Sequence, residues 1–488
     1  MLRKSLATLP PTLDQTYERI LSAISKEDSK YAIRILRWVT FSARPLSVDE
    51  VAEVVAIDIE QDPVFDRDEV LEDPLEILNI CSSLVTITVN ERDVFQGSPR
   101  HVVALAHYSV KEYLVSDRIW KGDAAQYGMQ DDRCHDAIAS GCLGYLLQFQ
   151  QPELAFNNHH EIFKLALYSA RFWISHAKKI GDRGKSTIQV AIRLFSTENP
   201  AYFNWAWLYD PDIRRVRAET PHSLYYAALS GLSRIVELLL DRGADPNTAQ
   251  GGGLGSALYA ASLQGHVQVV NLLLNKDADP NDSMGCYRSP LYTASLRGHE
   301  QVVQLLLNKG ADPNVQDGED PNPLYAAVEQ GHEQVVNLLL DKGANPNTQV
   351  KYYHNPIYTA AEGGNKQVVK LLLDKGADPN VEGGEYGSAL QAASHRGHDQ
   401  VVKLLINEGA DVNVQFGHYG SPLYTASERG HEKVVRLLLD KGADPNVEDG
   451  YYVGPLQAAL KQGHEQVVKL LLDKGARLPF KEEISATG

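Results

Sequence analysis

From about Pro221 to Phe480, one order of apolar and polar positions recurs along the chain. In one copy, Leu291, Tyr292 and Ala294 form a short apolar face, a Gly and a His follow, and Val302, Val303, Leu305, Leu306 and Leu307 make a second stripe. The spacing predicts two short helices per copy, and a single pair cannot bury its own apolar side. The Gly between them recurs at Gly231, Gly265, Gly298, Gly331, Gly364, Gly397, Gly430 and Gly463, with one step of 34 residues and six of 33. Self-similarity at that period predicts an array in which each pair is buried by its neighbours.

Local chemistry agrees with the helix pairs. Ser289 is placed to cap the first helix, and Pro290 stands at its first position, where a missing N–H costs nothing. Ala261, Ala294, Ala327, Ala360, Ala393, Ala426 and Ala459 let neighbouring helices approach closely, where larger residues would overpack. Gly310 supplies a left-handed stop, and Ala311-Asp312-Pro313-Asn314 turns the chain into the next copy. Two departures stand out. Asp277 replaces the terminating Gly of the second copy, where mild strain is expected, and Asn365 replaces the His after Gly364.

The motif S/N-P/A-L-Y/Q-x-A followed by GHEQVVKLLLDKGADPN resembles the ankyrin repeat closely. The usual His of the first helix is Tyr at 225, 259, 292, 325, 358 and 424 and Gln at 391 and 457, which changes a local hydrogen bond and leaves the fold. The expected fold is mainly α: a winged-helix-like α+β domain at 1–118, a helical spacer at 119–219, an α-solenoid of about eight ankyrin repeats at 220–480, and a tail at 481–488. In the spacer, helices over Ala137–Phe149 and Glu161–Ile180 and core anchors at Trp173, Trp205 and Trp207 are expected, together with a role in covering the edge of the first repeat.

The N-terminal pattern has no repeat. A buried helix with Ile33, Ile35, Leu36 and Val39, a helix capped by Ser47, a third over Pro74–Ser82, a strand pair at Val85–Val89 and Val102–Leu105, and a helix from Ser109 outline a winged helix. Leu9-Pro10-Pro11-Thr12-Leu13, Phe41-Ser42-Ala43-Arg44-Pro45-Leu46, Ile80-Cys81-Ser82-Ser83-Leu84-Val85 and Ala106-His107-Tyr108-Ser109-Val110-Lys111-Glu112-Tyr113-Leu114 resemble the winged-helix module that follows the NACHT domain in fungal NACHT and ankyrin (STAND-type) proteins. A related module carries the name of GPI inositol-deacylase. The resemblance implies a sensor or scaffold arm of a nucleotide-operated signalling switch, with the NACHT domain itself expected to be absent.

A column of surface residues offers a candidate docking site. Counting six residues past the Asn of each turn reaches Tyr287, Asp320, Tyr353, Tyr386, Tyr419 and Tyr452, with Tyr352, Phe416, Tyr451 and Glu385 beside them. Aromatic residues supply much contact area at low entropic cost, so these positions are expected to meet a partner. The same Tyr could instead stack on its neighbour in the next repeat. The recurring His at 266, 299, 332, 398, 431 and 464, one per repeat at a helix start, reads as packing or capping.

Composition narrows the chemistry. The net charge of -16 opposes a phosphate backbone as the main ligand, and the first 118 residues hold 13 Lys and Arg against 20 Asp and Glu, so DNA binding by the winged helix is the second reading rather than the first. The acidic finger segments point to a protein partner with basic character. Gly184-Lys185-Ser186 fails as a phosphate loop because position 179 is Lys, no GxSxG is present, and His107 beside Ser109 lacks a third group. No enzyme activity, cofactor, metal or small-molecule substrate is therefore expected. The scattered Cys81, Cys134, Cys142 and Cys286 read as reduced thiols, and with neither a secretory signal nor a membrane span in the pattern, an intracellular, cytoplasmic address is expected, the nucleus being the alternative.

Overall fold

The computed structural model of the chain describes residues 12–90, 100–150, 163–196, 199–209, 222–248, 255–282, 288–316, 322–349, 355–416, 420–447 and 454–477. It divides into two compact units, one of Met1–Asp245 with Gln250–Gly252 and one of Pro246–Ala249 with Gly253–Gly488.

The first unit begins with helices α1 (Leu13–Ser22), α2 (Ser29–Phe41), α3 (Val48–Val55), α4 (Glu76–Cys81) and α5 (Tyr108–Leu114). A three-stranded antiparallel sheet joins β1 (Leu46–Ser47), β2 (Val85–Asn90) and β3 (Arg100–Leu105) in the order β1-β3-β2, with Leu46 opposite Val103 and Ile87 opposite the same residue from the other side. Ser47 accepts from the Glu50 N–H while Glu50 reaches back to the Ser47 N–H, the reciprocal capping that fixes the start of α3. This is the predicted winged-helix outline, with β1 added.

Helices α6 (Asp131–Leu147), α7 (Ala166–Ile180), α8 (Lys185–Leu194) and α9 (Pro200–Tyr209) follow. They share a core with the winged helix rather than merely extending from it. Glu53 of α3, buried, accepts from the Tyr145 hydroxyl at 2.7 Å and from the backbone N–H groups of Lys164 and Leu165. Burial still raises its carboxyl above the ordinary value against those three bonds. Gly181–Arg183 is a single turn with Gly181 at φ +58.

The first repeat pair, α10 (Ser223–Leu229) and α11 (Ser233–Asp241), belongs to the same compact unit. Its Tyr226, fully buried, meets Trp205 of α9 edge-on at 5.4 Å, and Trp205 in turn packs against Trp173, Phe195 and Tyr202. The helices before the array thus cover the first repeat with aromatic side chains, and compactness divides the chain one repeat later than the sequence pattern does. Trp173 and Trp205 are core residues, while Trp207 is only half-buried. Cys81, Cys134 and Cys142 are buried free thiols, and burial pushes Cys81 and Cys142 up to about 12.

The second unit holds the remaining helix pairs, α12 (Ala257–Gln264) with α13 (Val267–Asn275), α14 (Pro290–Arg297) with α15 (Glu300–Asn308), α16 (Pro323–Glu329) with α17 (Glu333–Asp341), and α18 (Pro356–Glu362) with α19 (Lys366–Asp374). Then come α20 (Ala389–Arg396) with α21 (Asp399–Asn407), α22 (Pro422–Glu428) with α23 (Glu432–Asp440), and α24 (Pro455–Gln462) with α25 (Glu465–Asp473). Each predicted small residue from Ala261 to Ala459 is buried, and Val302, Val303 and Leu306 of the second stripe are fully enclosed while Leu305 is half-buried. Ser289 accepts from the Tyr292 N–H, with Pro290 at the first helical position. Asp277 adopts φ +63, so the left-handed stop survives without Gly. Among the described residues no helix is long and apolar enough to cross a membrane.

Candidate functional site

Two side-chain ladders hold the repeats of the second unit in register. The Asn that ends each turn reaches into the next repeat: Asn380 donates from Nδ2 to the Gly409 carbonyl at 3.0 Å and accepts from the Asp411 N–H at 2.8 Å. The same two bonds recur at Asn247, Asn281, Asn314, Asn347, Asn413 and Asn446. They satisfy a helix-end carbonyl and a turn N–H that would otherwise lack partners.

The His column makes the second ladder. Nε2 of His299, His332, His398, His431 and His464 lies 2.9–3.2 Å from the carbonyl of Leu263, Leu296, Glu362, His395 and Glu428 respectively, in the last turn of the preceding first helix. This is the packing role read from the sequence. It also explains Gly265, Gly298, Gly364, Gly397 and Gly430, each of which faces the His ring of the next repeat. A Cβ at Gly298 would lie 2.7 Å from the His332 ring, and its φ of +71 disfavours any side chain. Asn365 cannot span that gap and caps its own helix instead, accepting from the Val368 N–H.

With the framework fixed, the segments between repeats are the variable surface. Tyr287, Asp320, Tyr352, Tyr353, Tyr419, Tyr451 and Tyr452 lie outside the described residues. Glu385, Tyr386 and Phe416 lie within them and belong to two successive segments.

Tyr386 is 6 % exposed, so its ring is packed rather than presented, a correction to the expectation of a contact residue there. It stacks on His395 of its own repeat, with ring centroids 4.2 Å apart and planes 25° from parallel, rather than on an aromatic of the next repeat. Its backbone N–H donates to the Tyr358 hydroxyl at 3.2 Å. The loop lies flat on Tyr358, since a Cβ at Gly384 would fall 2.2 Å from that ring. Burial, then the charges of Arg429 and Arg396, push the His395 imidazole down to about 4, so it packs as a neutral ring.

Gln391 occupies the column position of Tyr358 one repeat later and does equivalent work. Its Nε2 donates to the carbonyls of Phe416 and Gly420, holding the next segment, and Phe416 itself is half-buried. Tyr358 and Gln391 of successive first helices therefore each grip the segment that follows, a role that the motif comparison left open. The segment before α20 presents carboxylate outward: Glu382 and Glu385 are exposed. Beside them the Arg396 guanidinium, half-exposed, is fixed by Glu362 at 2.7 Å across the repeat boundary. Among the described residues no group of His, Cys, Asp and Glu is arranged to hold a metal ion.

Residues 17–130 match the winged helix domain of GPI inositol-deacylase. The chain is 33% identical over 253 residues to the azaphilone pigments biosynthesis cluster protein L of Monascus ruber, covering 49% of this chain and 52% of that protein. It is 34% identical over 111 residues to the vegetative incompatibility protein HET-E-1 of Podospora anserina, covering 22% of this chain and 7% of that protein. The chain thus spans about half the length, or less, of these curated relatives. Among solved structures, the human ASB11 ankyrin repeat domain aligns with a TM-score of 0.41 and 27% identity, covering 46% of this chain and 98% of that one. Ankyrin repeat matches overlap continuously from residue 153 to residue 482, more than half of the chain, and on that ground the chain belongs to the ankyrin repeat family.

Proposed function

We propose that the second unit is a docking arm for a protein partner and that the chain works by binding rather than by catalysis. One observation carries this reading. The Asn ladder and the Tyr358 hydroxyl hold the segment before α20 from beneath, yet its Glu382 and Glu385 stay exposed. A pre-ordered segment loses little entropy when a partner arrives. Its carboxylates favour a partner with basic character, and repeat scaffolds change such residues without changing their fold.

The finer reading places this arm in a fungal signalling protein of the NACHT and ankyrin type, as its sensing or scaffolding part. The winged-helix match and the partial similarity to HET-E-1 support it. The test is partner recovery from a fungal extract with the intact chain and with a Glu382→Lys, Glu385→Lys variant. Loss of recovered proteins in the variant at unchanged thermal stability is expected. Equal recovery would contradict a docking role for these segments.

A further inference from the structure

A buried relay of polar side chains runs through the first unit. His135 of α6 and His176 of α7 are 2 % and 1 % exposed, with their Nδ1 atoms 2.8 Å apart. His135 Nε2 lies 3.3 Å from Lys179 Nζ, and His176 Nε2 lies 3.0 Å from the Tyr168 hydroxyl. The same hydroxyl accepts from the Ala43 N–H, just past the end of α2.

Donor chemistry fixes the direction of the relay. A lysine ammonium can only donate, so His135 Nε2 accepts and the His135 proton sits on Nδ1. His176 Nδ1 must then accept, which leaves its proton on Nε2, donated to Tyr168. Each link is satisfied only with both rings neutral. Asp131, one turn before His135 on α6, has its Oδ1 3.7 Å from the same Nε2 and stands ready as an alternative partner.

We propose that this relay is an acid-operated switch: a proton gained at His135 Nε2 turns that atom from acceptor to donor, releases Lys179 of α7 and engages Asp131 of α6. A second proton, at His176 Nδ1, would set two N–H groups against each other at 2.8 Å and part α6 from α7. The contact between α7 and Ala43 would go with it, loosening the joint between the winged helix and the helices that follow.

The charged groups around the relay act in the same sense. Burial, then Lys179, lowers the His135 pKa, with Lys111 of α5 adding to the lowering and Asp131 and Asp132 opposing it. Burial, then His135 and Lys179, takes His176 down to about 3. Burial keeps the Tyr168 phenol protonated, with Cys142, Arg44 and Glu50 as its further neighbours. Both imidazoles are thus depressed below the unfolded value of about 6.5. Their contribution to stability is complete above that pH and is lost as pH falls towards the folded values, by roughly tenfold in the folding equilibrium per pH unit for each extra proton the unfolded chain holds.

The test is nitrogen NMR of the intact chain with labelled histidine, the two rings being assigned by their loss in His135→Gln and His176→Gln. At neutral pH, His135 should carry its proton on Nδ1 and His176 on Nε2. Asp131→Asn should leave those tautomers unchanged and lower the pH at which His135 titrates. Thermal stability should fall between pH 7 and pH 5 less steeply in the double Gln variant than in the wild type. The reverse tautomers, a His135 titration indifferent to Asp131→Asn, or equal slopes in wild type and double variant would each overturn the switch.

Discussion

Replacing Asn380 tests whether the repeats are held by their Asn ladder or by apolar stacking alone. Asn380→Ala removes two bonds across one repeat boundary, at 3.0 Å to the Gly409 carbonyl and at 2.8 Å from the Asp411 N–H. A neutral hydrogen bond contributes about 1 kcal/mol net, so two contribute about 2 kcal/mol; the site is exposed and water can replace both partners, which brings the expected loss towards 1 kcal/mol. In a linear array this loss falls on one interface rather than on the whole unit. Hydrogen exchange is the assay, because it reads each amide separately. The Asp411 amide should exchange roughly fivefold faster on this free-energy loss, with smaller effects at the Asp444 amide, which is held by Asn413. Asn380→Asp serves as the internal comparison, since its carboxylate still accepts from Asp411 and only the bond to Gly409 is lost. Unchanged exchange at Asp411 in Asn380→Ala would refute the reasoning and assign register to stacking alone.

Further outcomes follow from single contacts. Gly298→Ala should destabilise the second unit more than Gly310→Ala in urea unfolding, because both have positive φ but only the first brings its Cβ against a His ring, while nothing lies within 4 Å of the second. Trp205→Ala should cost about 3–5 kcal/mol and expose the Tyr226 face of the first repeat, seen as lowered thermal stability of the first unit. Gln391→Ala should free the Phe416 segment, giving faster exchange there while α20 and α21 keep their protection. Tyr358→Phe should speed exchange of the Tyr386 amide, since the hydroxyl that accepts from that N–H is lost.

The repeat array was legible because its signals are local and recur: the cap at Ser289, the Pro after it, the small Ala column and the left-handed Gly each act within one helix pair. The Asn ladder was not, because a turn residue reveals its fold-back locally and conceals a partner some 30 residues away, such as Gly409 for Asn380. The Tyr column was misread at Tyr386 for a related reason. Regular spacing shows that a residue shares an environment with its counterparts, while the ring is turned inward here by its stack on His395 and its packing with Tyr358 and Ala392. The union of winged helix, helical segment and first repeat rested on buried polar and aromatic contacts such as Glu53 with Tyr145 and Trp205 with Tyr226, which pattern alone does not pair.

The docking claim is tested most directly by a photoreactive residue placed either at position 385, on the exposed segment between repeats, or at position 403, exposed on the second helix of the same repeat. In the living cell, illumination should yield a discrete protein adduct from position 385 and little or none from position 403. Adducts of equal strength from both positions, or adducts from position 403 alone, would contradict the account.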